Sequence, residues 1–250
     1  MSIDTTNLKE YRFSVDFEVH GDRALFSDPV TRIGGEKCSY HFPTCEALKG
    51  IARNIYWKPS FIWVIDYVRV MNPIITEAAG VRVPSYYKEK GKTDLSYHMY
   101  LKNVRYQVRA HLESNKNHPE FSNDWNMKKH FEMAKRWLKK GGRRTPFLGT
   151  SECFAYFKEC EFGSGDGYYD NLPGEMGYGL MYHSFTYPDQ AKKINEKNKL
   201  TLNFWAPVMM PGGVIEVISP EKCPVKKFIK KMDLAKFVVK EETPSEEECK

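Results

Sequence analysis

The sequence lacks the motifs of the most familiar enzyme classes. It contains no GxSxG nucleophile elbow, no phosphate-binding P-loop and no GxGxxG that follows a strand. The glycine-rich run GSGDG at 163–167 has neither the spacing nor the following helix that dinucleotide binding requires. These absences argue against a serine hydrolase, a P-loop nucleotidase and a Rossmann-type oxidoreductase.

Metal-binding patterns are missing as well. The six cysteines form no CxxC, no Cys/His group has zinc-finger spacing, and the seven histidines form no HExxH. Asp166 and Asp170 lie in the glycine-rich stretch, but a pair of aspartates in a loop is more typical of turn capping than of a Mg²⁺ site. We therefore expect reduced thiols that mostly serve packing, no bound metal and no cofactor.

Membrane signals are also missing. No apolar run approaches the length of a transmembrane helix, and the first residues, MSIDTTNLKEYRF, contain no apolar signal region. We expect no membrane as a partner, and a cytoplasmic location is the default prediction.

The sequence does contain an uneven charge and many aromatic residues. The last eleven residues hold five glutamates against two lysines, a net of −3, so the rest of the chain carries +9 of a whole-chain +6. Aromatic residues make up 14%, including 15 tyrosines, and hydrophobic residues make up 41%, which supports a real core. A basic, tyrosine-rich body suits a polyanionic partner such as RNA, although a plain solvated surface is equally compatible with it.

The first part of the chain alternates between strand and helix patterns. Residues 11–19 alternate apolar and polar side chains and predict a half-buried strand. Residues 44–57 carry an apolar stripe at helical spacing, with Thr44 as the N-cap, and predict a helix that ends before Pro59. Residues 61–70 are rich in β-branched and aromatic residues and predict a second strand.

The next part repeats this order. Residues 72–96 contain scattered proline and glycine and predict irregular structure. Residues 104–112 predict a strand with one apolar face and one polar face that exposes Arg105 and Arg109. That polar face could hold an RNA backbone or simply face solvent. Residues 126–140 predict a strongly basic helix that is ended by a glycine pair.

Together with one or two strands over 147–162, these elements follow the ferredoxin-like βαββαβ pattern. We therefore predict an α+β fold, with a ferredoxin-like domain of the RRM or RAMP type over 1–160. A smaller C-terminal antiparallel β-sheet module is expected over 161–225. Residues 226–250 are predicted to form a charged, disordered tail.

Candidate catalytic groups cluster at the two helices. Lys128, Lys129 and His130 lie near the start of the second helix, and Tyr56 lies at the end of the first. Histidine transfers protons near neutral pH, lysine supplies a fixed positive charge, and tyrosine can donate or position a proton. Such groups can cut RNA without a metal, because the 2′-hydroxyl is itself the nucleophile. A core-capping tyrosine ring and an ordinary surface histidine remain the structural alternatives.

Geometry raises one objection to this cluster. Adjacent residues in a helix point about 100° apart, so Lys129 and His130 should not share a face. They could converge in the first turn of the helix or in the loop before it, where the helix N-terminus would also favour a phosphate.

Longer motifs are more specific than these patterns. The run GDRALFSDPVTRIGGEKCSYHFPTCEALKGIARNIYWKPSF resembles the CRISPR-associated proteins of the fifth Cas family, d subtype, which belong to the RAMP superfamily with ferredoxin-like folds. Further matches are VIDYVRVMNPI, YLKNVRYQVRAHLE, KKGGRRTPFLGTSEC, CEFGSGDGYYD and the PEKCP segment. The resemblance covers about residues 10–230.

The resemblance implies a specific activity. It implies metal-independent cleavage of precursor CRISPR RNA at the base of the repeat hairpin, which leaves a 2′,3′-cyclic phosphate and a 5′-hydroxyl. The protein would then stay bound to the 5′ handle of the mature RNA, beside the backbone and large subunits of the type I-C surveillance complex. A non-catalytic subunit that caps the RNA handle and a metal-dependent nuclease acting on duplex DNA remain the alternatives.

The resemblance also implies residue roles. Tyr56, Lys129 and His130 occupy the family's catalytic positions, with His130 in proton transfer, Lys129 stabilising the phosphorane and Tyr56 transferring a proton or positioning the 2′-hydroxyl. Which group is base and which is acid stays open. RNA binding is expected from basic residues of the second helix, of the loop after it and of the polar strand face, namely Lys128, Arg136, Lys140, Arg143, Arg144, Arg105 and Arg109.

Overall fold

A computed structural model describes residues 8–9, 11–84 and 93–233 of the chain. The helices within these ranges are α1 (Cys45–Ile55) and α2 (Met127–Lys139), and a 3₁₀ turn at Pro119–Asp124 precedes α2. The strands are β1 (Ser14–Ala24), β2 (Phe61–Val70), β3 (Thr76–Pro84), β4 (Thr93–Ser114), β5 (Tyr156–Glu159), β6 (Glu175–Tyr178), β7 (Met181–Thr186), β8 (Lys199–Trp205), β9 (Val208–Pro211), β10 (Val214–Glu216) and β11 (Val225–Lys231). No helix in this part of the chain is long and apolar enough to cross a membrane.

The main sheet has the predicted ferredoxin-like topology. Its strands lie in the order β10-β2-β4-β1-β5, and neighbouring strands are antiparallel. Strands β1, β2, β4 and β5, with α1 after β1 and α2 after β4, form the βαββαβ unit. Both helices pack on the sheet, α1 against β2 and α2 against β1, β4 and β5. The predicted α+β fold is confirmed.

Local sequence explains the position of α1. The Thr44 hydroxyl accepts a hydrogen bond from the backbone N–H of Ala47 at 3.2 Å, which caps the helix as predicted. Leu48, Ile51 and Ile55 are fully buried in the core. The stripe therefore determines which side of α1 faces the sheet, and the residue after Ile55 is buried as well.

Residues 72–96 differ from the sequence prediction. Strand β3 and the first part of β4 form an antiparallel hairpin, and its connecting residues 85–92 lie outside the described part of the chain. Gly80 is tolerated inside β3 because the side chain of Leu95 packs over it, where an added Cβ would lie 3.0 Å from the Leu95 Cδ1 atom. The prediction of irregular structure is wrong for Thr76–Pro84, because cross-strand contacts outweigh the weak local strand signal.

The C-terminal part is more closely joined to the main sheet than predicted. Strands β7, β8 and β11 form a three-stranded sheet, and β6 pairs with β9. Strand β10, however, pairs with β2 of the main sheet, so the strands within 161–225 do not form one separate sheet.

The predicted start of the tail at residue 226 is also wrong. Val225–Lys231 pairs with β8 as an edge strand. Its lysines resemble a solvated tail in the sequence, but an edge strand accommodates lysine readily. Residues 234–250 lie outside the described ranges.

Candidate active site

Tyr56 and His130 meet between the two helices. Tyr56 follows α1 directly, with an extended backbone, and His130 lies in the first turn of α2. The Tyr56 hydroxyl oxygen is 3.1 Å from Nδ1 of His130. Phe61 packs against both rings, with centroid distances of 5.5 Å to Tyr56 and 4.9 Å to His130. The Phe61 ring thus packs against two residues that lie 74 positions apart in the chain and are in hydrogen-bonding contact.

The hydrogen bonds of His130 determine its tautomer. Its Nε2 atom lies 2.7 Å from the backbone carbonyl oxygen of Asp124, which can only accept a hydrogen bond. Nε2 therefore carries the proton of the neutral imidazole, and Nδ1 presents its lone pair to the O–H of Tyr56. Burial lowers the pKa of His130 below its usual value, so the ring is neutral at physiological pH.

Burial keeps Tyr56 uncharged as well, although here it shifts the pKa upward. The hydroxyl lies in the core beside Asp124, and burial together with that carboxylate raises the pKa of Tyr56 to about 12. The nearby charge of Arg143 lowers it only in part. Tyr56 is therefore a neutral hydrogen-bond donor to a neutral histidine, which is an arrangement suited to passing a proton along.

Asp124 connects Lys129 to this pair. The Lys129 ammonium lies 2.7 Å from one carboxylate oxygen of Asp124. The other oxygen lies 2.8 Å from Oγ of Ser60, 3.4 Å from Nε2 of His130 and 3.7 Å from the Lys58 ammonium. Although burial raises the pKa of Asp124, hydrogen bonds from Lys129 and Ser60 outweigh it, so the pKa is lowered and the carboxylate is ionised.

The objection about helix faces is resolved by this carboxylate. Lys129 points to solvent and His130 points into the core, as two adjacent helical residues should. Both side chains reach Asp124, which lies in the 3₁₀ turn before α2. His130 is 0% exposed, so the surface-histidine alternative is wrong, whereas Tyr56 is 1% exposed and packs in the core, as the alternative of a core tyrosine ring predicted.

Sequence reasoning did not identify Asp124 or Ser60. Both lie in short connecting segments without periodicity, Ser60 before β2 and Asp124 just before the N-cap Asn126. An acidic residue ahead of a helix is common, because it suits the positive end of the helix dipole. The sequence therefore contains no signal that would distinguish the role of Asp124 from ordinary capping.

Exposed cations lie on α2 and in the loop after it. The predicted RNA-binding residues that are exposed there are Lys128, Arg136, Lys140, Arg143 and Arg144. The backbone N–H groups of Arg143 and Arg144 both donate to the carbonyl oxygen of Asn54, at 2.9 and 3.0 Å. These bonds hold the loop after α2 against the last turn of α1, close to Tyr56.

The polar face of β4 is not open as predicted. Arg109 forms two 2.8 Å hydrogen bonds with the carboxylate of Asp16 and is only 9% exposed. The cause is a loop that covers this face, since the backbone oxygen of Ser164 accepts from Gln107 Nε2 at 2.8 Å. This burial and the pairing with Asp16 argue against the predicted RNA contact by Arg109. Arg105 pairs with Glu18 at 2.8 Å but stays partly exposed, so its RNA contact stays a prediction.

The same loop accounts for Asp170. Its carboxylate accepts from the buried guanidinium of Arg69 at 2.7 and 2.9 Å and from the backbone N–H of Gly167 at 2.7 Å. The interpretation of Asp170 as a turn-capping residue is confirmed. In the part of the chain that the structure describes, no group of three or more histidine, cysteine, aspartate or glutamate side chains could hold a metal ion.

Comparisons with known proteins converge on one family. The family model Cas_Cas5d, described as "CRISPR-associated protein (Cas_Cas5)", matches residues 14–218. A protein of Mannheimia succiniciproducens named "CRISPR pre-crRNA endoribonuclease Cas5d" is 30% identical over 164 residues, which cover 57% of this chain and 71% of that protein. A protein of the same name from Thermus thermophilus is 31% identical over 149 residues, which cover 56% of this chain and 61% of that protein.

Solved structures agree with this result. A crystal structure of a CRISPR-associated protein has a TM-score of 0.70 and 30% identity, covering 88% of this chain and 99% of that chain. A functionally uncharacterized protein from Streptococcus mutans has a TM-score of 0.69 and 35% identity, covering 88% of this chain and 100% of that chain. The region matched by the family model contains both helices and the whole candidate centre.

Proposed function

The chain belongs to the Cas5d family of CRISPR-associated proteins, as the resemblance in its sequence predicted, and from this premise we propose that it is an endoribonuclease that cleaves precursor CRISPR RNA. Two relatives with 30% and 31% identity carry the name of that activity. The observation that carries the proposal is the hydrogen bond between Tyr56 and His130, with Lys129 joined to them through Asp124. These are the groups that a metal-independent RNA cleavage needs, brought together from distant parts of the chain.

The proposed reaction begins with a proton relay. Nδ1 of neutral His130 accepts the proton of Tyr56 while the Tyr56 oxygen accepts the proton of the RNA 2′-hydroxyl. The 2′-oxygen attacks the adjacent phosphorus, and the Lys129 ammonium stabilises the added negative charge of the phosphorane. The imidazolium returns its proton through Tyr56 to the 5′-oxygen as the P–O bond breaks. The products are a 2′,3′-cyclic phosphate and a 5′-hydroxyl.

The proposed reaction requires a local opening of the structure. Tyr56 and His130 are buried, and His130 contacts Asp124 at the end of the turn Pro119–Asp124. The carboxylate of Asp124 is paired with the Lys129 ammonium. A carboxylate and a phosphate offer the same kind of anionic oxygen acceptors to an ammonium group. The scissile phosphate would therefore replace the Asp124 carboxylate as the partner of Lys129.

The decisive experiment combines a chelator with a modified substrate. Purified protein is incubated in EDTA with a repeat-hairpin RNA and with the same RNA lacking the 2′-hydroxyl at the cleavage position. We expect one cut in the first RNA, with a 2′,3′-cyclic phosphate end, and an intact second RNA. Cutting of the deoxy substrate would identify a different nucleophile, and cutting only after metal addition would favour a metal-dependent nuclease.

The proposal also includes retention of the product in a complex. The protein would hold the 5′ handle of the mature RNA as a subunit of a type I-C surveillance complex. Competition between labelled handle RNA and unrelated RNA of equal length tests this part, and we expect preferential binding of the handle. Tight handle binding without any cleavage in EDTA would instead make the chain a non-catalytic capping subunit.

A further inference from the structure

Three exposed aromatic rings lie together on one side of the molecule. Phe147, Phe154 and Tyr156 are 46%, 63% and 65% exposed. Single exposed rings are normal on protein surfaces, but a contiguous group marks an interaction site. These rings belong to no part of the catalytic centre described above.

The backbone places the three rings on the same side. Phe147 and Phe154 are partners in an antiparallel bridge, so their side chains project in the same direction, with Cβ atoms about 5 Å apart. Tyr156 lies two residues beyond Phe154 in extended chain and therefore projects to that side as well. The intervening Ala155 is fully buried, which confirms the alternation.

The row continues onto the neighbouring strand. Tyr156 of β5 is the register partner of His20 of β1, and their ring centroids are 6.0 Å apart. The result is a strip of ring faces along the edge of the main sheet, which we call the aromatic strip and define as Phe147, Phe154 and Tyr156.

Cations lie at both ends of the aromatic strip. Arg144 precedes Phe147 by three residues and is exposed, and the backbone of its loop is held against α1 beside Tyr56. Lys158 follows Tyr156 by two residues, is exposed and projects to the same side. Phe157, between Tyr156 and Lys158, packs against Phe17 on the side of the sheet that α2 covers, so the strip projects from the opposite face of the sheet and has a cation on each side of it in the chain.

We propose that the aromatic strip is a stacking surface for unpaired RNA bases that flank the repeat hairpin, with Arg144 and Lys158 contacting the adjoining phosphates. The inference rests on the proposed function, because it assumes an RNA substrate. Rings stack on any base, since every base has a π-face, and each such contact is worth about 5- to 150-fold in affinity. The flanking cations favour a polyanion over an apolar protein segment as the occupant.

The test measures RNA binding by single and paired ring removals. Phe154→Ala and Tyr156→Ala are compared with Phe228→Ala, which removes a 53% exposed ring from β11 in a different sheet. The RNA is a repeat hairpin with an unpaired flank that carries 2-aminopurine, whose emission is quenched on stacking. We expect about 5-fold or greater weakening for each strip variant, lost quenching, and no change for Phe228→Ala.

Salt dependence separates stacking from charge. Removal of a ring should weaken binding equally at low and high salt, because no counterion is released by a ring. Arg144→Ala should instead lower the slope of log K against log salt by about 0.7, the value for one phosphate of a single strand. An unchanged affinity in Phe154→Ala/Tyr156→Ala overturns the proposal.

An RNA-side control makes the result independent of protein folding. Abasic sites in the unpaired flank should weaken wild-type binding as much as Phe154→Ala/Tyr156→Ala does, and the two changes together should cost little more than either alone. Additive losses would contradict stacking. If the paired variant instead alters the sedimentation of the protein and not its RNA affinity, the strip is a protein–protein surface. If the wild-type protein binds the hairpin without cleaving it, the proposed function is contradicted and the proposed stacking surface is not.

Discussion

Two buried histidines in this protein differ in charge, since His111 is positively charged near neutral pH and His130 is neutral. His111, on the polar face of β4, lies 2.8 Å from the carboxylate of Asp66. Although burial lowers the pKa of His111, the hydrogen bonds that its ring donates to the carboxylates of Asp66 and Glu113 outweigh it and raise the pKa to about 9. His130 has a backbone carbonyl and a tyrosine hydroxyl as its closest partners, and burial lowers its pKa.

The difference shows how the partner of a buried histidine decides its use. A carboxylate stabilises the imidazolium, which then has no lone pair and can serve only as a structural cation. A carbonyl and a hydroxyl leave the ring neutral with one lone pair facing a proton donor. Burial and ring chemistry are shared, so the surroundings alone make His111 a structural residue and His130 a candidate for proton transfer.

The largest expected effect separates the two histidines by activity. His130→Ala should reduce cleavage by about 10²- to 10⁴-fold, the usual worth of a positioned general base, while RNA binding is retained. Single-turnover cleavage and a parallel binding assay measure the two quantities. His111→Gln, corrected for the folded fraction, is the matched control and should cleave as wild type does. A His130→Ala protein that cuts at nearly the wild-type rate removes His130 from the mechanism.

The second prediction concerns the contribution of His111 to the free energy of unfolding. The folded pKa of His111 is raised to about 9 from an ordinary 6.5, so its contribution is complete below pH 6.5 and is lost as the pH rises through 9. His111→Gln should therefore lower the free energy of unfolding by about 3 kcal/mol at pH 6, with the deficit shrinking by pH 9.5. Urea unfolding at several pH values measures this deficit. A deficit that does not change with pH would mean that His111 is uncharged.

A third prediction compares the exposed Arg143 with the buried Arg109. Arg143→Ala removes an exposed cation beside Tyr56 and should reduce the salt slope of RNA binding by about 0.7. Arg109→Ala breaks the buried pair with Asp16 and should destabilise the fold by about 3 kcal/mol without changing that slope. Fluorescence anisotropy over a salt series provides both slopes. A reduced slope in Arg109→Ala would restore Arg109 as an RNA contact.

The smallest effect concerns Asp124. Asp124→Asn keeps the side-chain size and the backbone carbonyl that orients His130, but removes the charge that holds Lys129. RNA affinity should rise by about 2- to 5-fold, the scale of a partly exposed ion pair. Glu120→Gln removes one charge from the same turn without contacting Lys129 and should have less effect. Weaker binding by Asp124→Asn would show that the carboxylate helps to position Lys129 for RNA.

Local patterns in the sequence were sufficient for much of the fold. The strand Phe61–Val70 and the helix Cys45–Ile55 with its Thr44 cap follow the predicted positions, because their signals lie within a dozen consecutive residues. Strand β3, with Gly80 inside it, and the lysine-rich β11 were missed. Both are stabilised by partner strands rather than by their own composition, and no local pattern contains that information.

The same distinction between local pattern and tertiary contact applies to the candidate site. Residue types and family motifs predicted Tyr56, Lys129 and His130 as catalytic, because such side chains suit proton transfer and phosphate stabilisation wherever they lie. Tertiary structure alone decided that Tyr56 and His130 are buried and in contact, that Asp124 joins Lys129 to them, and that Arg109 is neutralised by Asp16. Charge state, tautomer and accessibility depend on distances of a few ångströms between residues far apart in the chain, and only the packing of the fold determines those distances.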